Sequence, residues 1–198
     1  MKKAILISAM LFMAVLAFGQ FTLGPKVGFT MSKLKTNFED VTEEVKSGFQ
    51  FGAFVRIGEK IYVQPEVMFV TKGGIIKEES MNTKTKVNLS SIQVPLLVGY
   101  RILNLKVVNL RIHAGPAISF VTKKEITITT TSGEEAFDDS HIKDAIWSMQ
   151  LGAGIDVLMF TLDVRYEWGL NNIWDPKDGP SYDMKNNLWN ISLGWKIL

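Results

Sequence analysis

Eight segments of the chain alternate apolar and polar residues with a period of two, the spacing that sends successive side chains to opposite faces of a β-strand. The last is the clearest: Trp189, Ile191, Leu193, Trp195 and Ile197 form one row, and Asn190, Ser192, Gly194 and Lys196 the other. The pattern predicts strands at about 21–32, 48–57, 60–71, 87–102, 107–122, 145–157, 160–170 and 188–198. Each is near the about 9–11 residues that a tilted strand needs to cross a bilayer, whereas strands of soluble proteins average about 5–6. In the fourth, Val87 and Leu89 are odd-numbered while Ile92, Val94, Leu96 and Val98 are even, which predicts a bulge near Ser90-Ser91. Prolines 25, 65, 95 and 116 fall inside predicted strands, where each removes a ladder hydrogen bond.

Alternation does not say which row faces water, but the connections do. Gly58-Glu59, Leu103–Lys106 and Leu158-Met159 are tight, whereas 33–47, 72–86, 123–144 and 171–187 are long and polar. If the first strand starts in the periplasm, every tight turn is periplasmic and every long loop external, the asymmetry of outer-membrane barrels. The apolar rows place Phe29, Phe49, Phe69, Phe120, Trp147, Trp168 and Trp189 near one rim and Phe21, Tyr100, Phe160 and Trp195 near the other. Two aromatic girdles mark two membrane interfaces. The polar rows carry Lys26, Arg56, Gln64, Glu66, Gln93, Arg101, Arg111, His113, Gln150, Asp156, Asp163, Arg165, Glu167 and Lys196, with ten glycines between them. Glycine weakens a solvent-facing strand, but in a narrow lumen it leaves room for long charged neighbours. The expected fold is therefore all-β: an eight-stranded antiparallel up-and-down transmembrane β-barrel, apolar row outward.

Lys2 and Lys3, the apolar run Ala4–Leu16 and the small residues Ala17 and Gly19 read as an export signal over 1–19, with the barrel domain over 20–198. That signal holds two of the 22 basic residues and none of the 20 acidic ones, so the remainder is formally neutral. Neutrality argues against nucleic-acid binding, which calls for a basic stripe. With no cysteine, disulfides, thiolate metal sites and lipoprotein processing are excluded.

Gly24-Pro25-Lys26-Val27-Gly28-Phe29, Gln64-Pro65-Glu66, Ile92-Gln93-Val94-Pro95-Leu96, His113-Ala114-Gly115-Pro116, Gly152-Ala153-Gly154, Asp163-Val164-Arg165-Tyr166 and Leu193-Gly194-Trp195-Lys196-Ile197 occur in this order. Together they resemble the PorT-like outer-membrane β-barrel family of Bacteroidetes. The resemblance implies an integral outer-membrane protein, usually without known activity; some relatives are associated with type IX secretion.

His113 is the lumen histidine, expected within reach of Glu66 or Arg165. Ser119, six residues on, lies roughly 20 Å away by strand rise and cannot pair with it; Ser148 approaches only from a neighbouring strand. Carboxylates cluster beside His141 in Glu134–Ser140, and Asp175-Pro176-Lys177-Asp178-Gly179 reads as a turn. Neither spacing matches a calcium loop. No catalytic, cofactor-binding or metal residue is assigned, no cofactor is expected and the protein reads as not an enzyme. So many long polar side chains inside eight strands should plug the lumen. Function then falls to the loops, where Ile75, Ile76, Phe137, Ile173 and Trp174 offer a contact surface. The expected partners are outer-membrane lipid and an envelope or secretion protein bound through the external loops. The alternatives are a narrow small-solute channel and a soluble periplasmic β-barrel that binds an apolar ligand.

Overall fold

The computed structural model describes residues 21–35, 41–44, 46–78, 83–105, 107–130, 133–137, 145–171 and 185–197. Ten strands follow in order: β1 (Phe21–Lys35), β2 (Val41–Glu44), β3 (Lys46–Ile57), β4 (Ile61–Glu78), β5 (Thr83–Asn104), β6 (Val108–Thr130), β7 (Gly133–Phe137), β8 (Ala145–Val157), β9 (Phe160–Gly169) and β10 (Lys185–Trp195). All pairings are antiparallel. Eight strands run β1-β3-β4-β5-β6-β8-β9-β10, and β10 returns to β1 with Ile191 opposite Phe29, closing the barrel without an edge. The strand ends joined by the short connections β3–β4, β5–β6 and β8–β9 gather at one end, the turn end; the opposite strand ends mark the loop end. Leu158 takes a φ of 51° in its two-residue turn, a left-handed conformation for which nothing in its side chain argues.

The wall has the predicted polarity. Along β8, Ser148, Gln150 and Asp156 are buried while Trp147, Leu151 and Ile155 are exposed. Exposure reaches 71 % at Phe29, and both aromatic girdles stand on this outer surface, Trp195 opposite Phe160 at the turn end and Trp189 opposite Tyr166 near the loop end. A soluble barrel that held an apolar ligand would need the reverse arrangement.

Two expectations change. The segments 33–47, 72–86 and 123–144 are not simple loops: β2 (Val41–Glu44) and β7 (Gly133–Phe137) lie in the first and the last, and β4, β5 and β6 run on to Glu78, from Thr83 and to Thr130. Threonine and isoleucine favour strands, but a ribbon that has left the bilayer needs no apolar row, so the period-two signal ends with the wall. The register does shift between Ser90 and Ser91, yet the extra residue is Thr122 on β6, because Ser90 pairs with Lys123 and Ser91 with Val121. β5 itself keeps phase, and the parity change arises because Leu89 faces inward with Ser91 and Gln93. A second shift leaves Ile102 extra on β5.

The prolines find their explanation in the register. Pairing is interrupted where Val55 would meet Pro65, where Glu66 would meet Pro95 and where Leu96 would meet Pro116. Three adjacent ladders thus skip at three prolines that have no N–H to donate. Pro25 sits one residue before the β1–β10 pairing begins at Lys26.

Candidate functional site

The lumen concentrates the chemistry of the chain, because inward positions of consecutive strands bring opposite charges to the same level. Glu66 of β4 accepts two hydrogen bonds from the Arg165 guanidinium of β9 at 2.6 and 2.7 Å, and a third from Lys26 Nζ of β1 at 2.6 Å. Lys26 also reaches Asp163 at 2.8 Å, and Arg165 reaches Asp163 at 3.1 Å. Arg111 of β6 binds Asp163 and Thr161 through one nitrogen, donates from Nε to Asp156 at 3.0 Å and lies 3.3 Å from the Tyr62 hydroxyl. Arg56 of β3 completes the group, donating to Asp156 at 2.8 Å and Gln64 at 2.7 Å. Four cations thus surround three carboxylates, all nearly solvent-free. Bidentate and charge-assisted bonds of this kind offset the desolvation of the ions.

A smaller cluster lies nearer the loop end. Glu167 accepts from Gln93 at 3.0 Å and Gln150 at 2.7 Å, with Lys72 Nζ at 3.5 Å. Lys72 and Gln93 both donate to Ser119, at 3.0 and 2.9 Å.

Of the polar-row residues read from the sequence, all but Lys196 are buried; Lys196 stands half-buried at the turn end, 4.0 Å from Asp156. His113 does meet Arg165, whose Nε donates to its Nε2 at 3.0 Å. Accepting there places the ring's own proton on Nδ1, which faces Arg111 at 3.4 Å. Ser119 bonds to Lys72 and Gln93, and Ser148 donates to the Ala117 carbonyl at 3.4 Å, so neither hydroxyl is directed at the histidine. Of the loop positions, Ile75 and Ile76 lie in β4 and Phe137 in β7, while His141, 173–174 and 175–179 lie outside the described residues.

Sequence reasoning missed Lys72 by ending its strand at 71, and it missed the apolar residues of the lumen. Phe54 and Tyr62 share the parity of Arg56 and Gln64, a signal that was present. Their rings support the cations: Lys26 Nζ lies 5.0 Å from the Phe54 centroid, and Arg56 lies 5.6 Å from Phe54 and 5.1 Å from Tyr62.

The glycines divide into two kinds. A Cβ at Gly99 would strike the Tyr62 ring and one at Gly154 would meet Asp163 and Arg111, while one at Gly152 would meet Arg165 and His113 as well as the Val164 carbonyl of the next strand. These make room for the network. At Gly24, Gly52 and Gly115 the obstacle would be a backbone carbonyl of the next strand, so these permit close approach of the strands instead.

A closed wall with an apolar exterior and an ion-paired interior is the arrangement of a protein whose solvent is the bilayer. The family described as outer membrane protein beta-barrel domain matches residues 12–175. The chain belongs to this outer-membrane β-barrel family. Its outward apolar row is therefore the lipid-contacting surface. Among solved structures, the chain is similar to the outer membrane protein OprG of Pseudomonas aeruginosa, at 13 % identity over 90 % of this chain and 96 % of that one, with a TM-score of 0.52. It is also similar to Ail, the attachment invasion locus protein of Yersinia pestis (15 % identity, 90 % and 99 % covered, TM-score 0.47), and to Neisserial surface protein A (8 % identity, 88 % and 97 % covered, TM-score 0.48). At these identities the likeness concerns the fold alone. No curated protein sequence matches the chain.

Proposed function

We propose that this outer-membrane barrel is a non-enzymatic envelope protein that binds another protein through a sheet raised beyond its rim. The observation that carries this reading is the register at the loop end. There β2 pairs with the outer part of β4, β4 with β5, β5 with β6 and β6 with β7, a five-stranded ribbon continuous with one side of the wall. Among the described residues β2 pairs only with β4, and β7 only with β6, which leaves two sheet edges. A sheet edge is a template for an added strand. Each edge strand carries two consecutive glutamates, Glu43-Glu44 and Glu134-Glu135, which oppose pairing between copies and favour a basic partner strand. The loop end is external on this reading, by the asymmetry of turns and loops. Residues 1–19 are the export signal, and the PorT-like resemblance points to a role in secretion or envelope assembly.

Replacing residues 126–142 by a short glycine-serine linker removes β7 and the outer end of β6 but leaves β6 paired below Ser91. The variant is expected to reach the outer membrane and to keep heat-modifiable gel migration, while losing any protein that co-purifies with the parent. A partner retained by the variant refutes this surface. The filled lumen also predicts that planar bilayers containing the protein show no discrete conductance steps; reproducible single-channel steps would restore the narrow-channel alternative.

A further inference from the structure

The apolar exterior does not stop at the turn-end girdle, which Tyr100 opposite Ile112 and Phe160 opposite Trp195 mark. Beyond it, Leu103, Leu105 and Val107 at the tip of the β5–β6 hairpin are 44–55 % exposed, and Leu158 and Met159 in the β8–β9 turn 65 % and 50 %. In the wall, exposed and buried residues alternate. At these tips they do not: 102–105 and 157–160 are exposed without a break. In sequence, 102–107 and 157–160 are wholly apolar apart from Asn104 and Lys106. The β3–β4 turn is different, with Glu59 and Lys60 exposed.

The two apolar tips form one unit with paired backbone. Leu158 N–H donates to the Val107 carbonyl at 3.0 Å, Leu105 N–H to the Val108 carbonyl at 3.0 Å, and Lys196 N–H to the Met159 carbonyl at 2.7 Å. Water satisfies the free groups of a turn but hydrocarbon cannot, so a turn that enters lipid must pair them. Through Leu110 and Val157, 40 % and 41 % exposed, the tips are continuous with the lipid-contacting wall. Their apolar residues are aliphatic, whereas protein-binding patches are enriched in aromatic residues and arginine. Depth is the unusual feature. Val108 lies four residues beyond Ile112, about 13 Å along the strand, or roughly 10 Å along the barrel axis at a tilt of ~40°. The headgroup layer is only about 5–8 Å thick on each side, so a flat leaflet would leave the tip in water.

We propose that the turn-end leaflet is drawn out around this side of the barrel, so that phospholipid acyl chains cover Leu103, Leu105, Val107, Leu158 and Met159. A wall taller than the local bilayer thickens the lipid beside it. The raised lipid faces β5, β6, β8 and β9, while the β3–β4 turn stays in water. The inference holds whichever side of the membrane the loop end faces.

The chain has no cysteine, so the variants E59C, L105C, I112C and L158C can each carry a single spin label in dioleoylphosphatidylcholine vesicles. Power saturation compares contact with oxygen, which concentrates in hydrocarbon, and with a nickel chelate, which stays in water. Labels at 105 and 158 are expected to behave like the wall label at 112, with oxygen contact several-fold above nickel contact. The label at 59 should show the reverse order. In dilauroylphosphatidylcholine the label at 105 should gain nickel contact while that at 112 stays dry; a label at 105 indifferent to chain length overturns the drawn-out leaflet. Nickel contact at 105 and 158 equal to that at 59 overturns the proposal. If 112 is then still dry, the lipid-facing wall stands without it, whereas nickel contact at 112 refutes the wall as well. Labels at 105 and 158 shielded from both reagents mean that a second copy covers the tips, which also overturns the proposal. Heat-modifiable migration confirms folding of each variant; if L158C does not fold, position 105 decides.

Discussion

Replacing Arg165 by methionine is expected to lower the unfolding free energy of the barrel by about 3–5 kcal/mol, the cost of stranding a buried partner. Arg165 makes the paired contact to Glu66, a further bond to Asp163 and the bond that fixes the His113 ring. Urea unfolding midpoints in lipid vesicles measure the loss. Lys26 still neutralises part of Glu66 in this variant, so the loss should fall nearer the lower bound. The double variant Glu66→Gln/Arg165→Met should be less destabilised than the sum of the single ones, because it removes the stranded carboxylate together with its partner. A cost below about 1 kcal/mol, the worth of an exposed ion pair, would mean that water reaches the network. That result would undercut the plugged lumen as well as the role of Arg165.

The wall of this protein was legible in the sequence because a membrane barrel obeys a two-residue period under a strong constraint. Every backbone group must pair and every outward side chain must meet lipid. Lys26, Arg111, Asp163 and Arg165 declared themselves by parity, since a charged row opposite Val27, Ile112, Leu162 and Val164 has only the lumen to occupy. Beyond the rim that constraint lapses. Residues 72–78 and 123–130 pair as strands without an apolar row, and a reading based on alternation stopped short of them. Leu89 misled for the opposite reason. It is an apolar residue packed among inward polar ones, and its parity imitated a bulge that belongs to Thr122 of the neighbouring strand. Which carboxylate meets which guanidinium was not legible either. Lys26 and Asp163 are 137 positions apart, and only the closure of β10 onto β1 brings their strands near.

The prolines and glycines show how the interior and the wall constrain each other. A closed barrel offers no edge strand to accept a proline, so Pro65, Pro95 and Pro116 are absorbed by gaps aligned across β4, β5 and β6. The ion network crosses this part of the wall through Glu66 and links it to β1 and β9. Polar bonds inside the lumen thereby connect strands whose own ladders are interrupted.

Substituting Val164 by arginine places on the outside the same side chain that its neighbour Arg165 holds on the inside. Val164 lies midway up the wall, opposite Ala153 on one strand and Ile191 on the other, and is 40 % exposed. At the bilayer midplane an outward arginine costs about 2–4 kcal/mol, falling to about 0–1 near the interface. Val164→Arg should therefore lower the unfolding midpoint and folding yield in vesicles far more than Trp195→Arg at the turn end. The difference should shrink in detergent micelles, whose apolar layer deforms more readily. If Val164→Arg folds as well as the parent in both, the outer row is facing water, and the lipid-facing assignment of every even-numbered position on β9 fails with it. The contrast between positions 164 and 165 isolates environment from chemistry, because one guanidinium moved by one residue changes from the centre of the network to a charge with no partner but lipid.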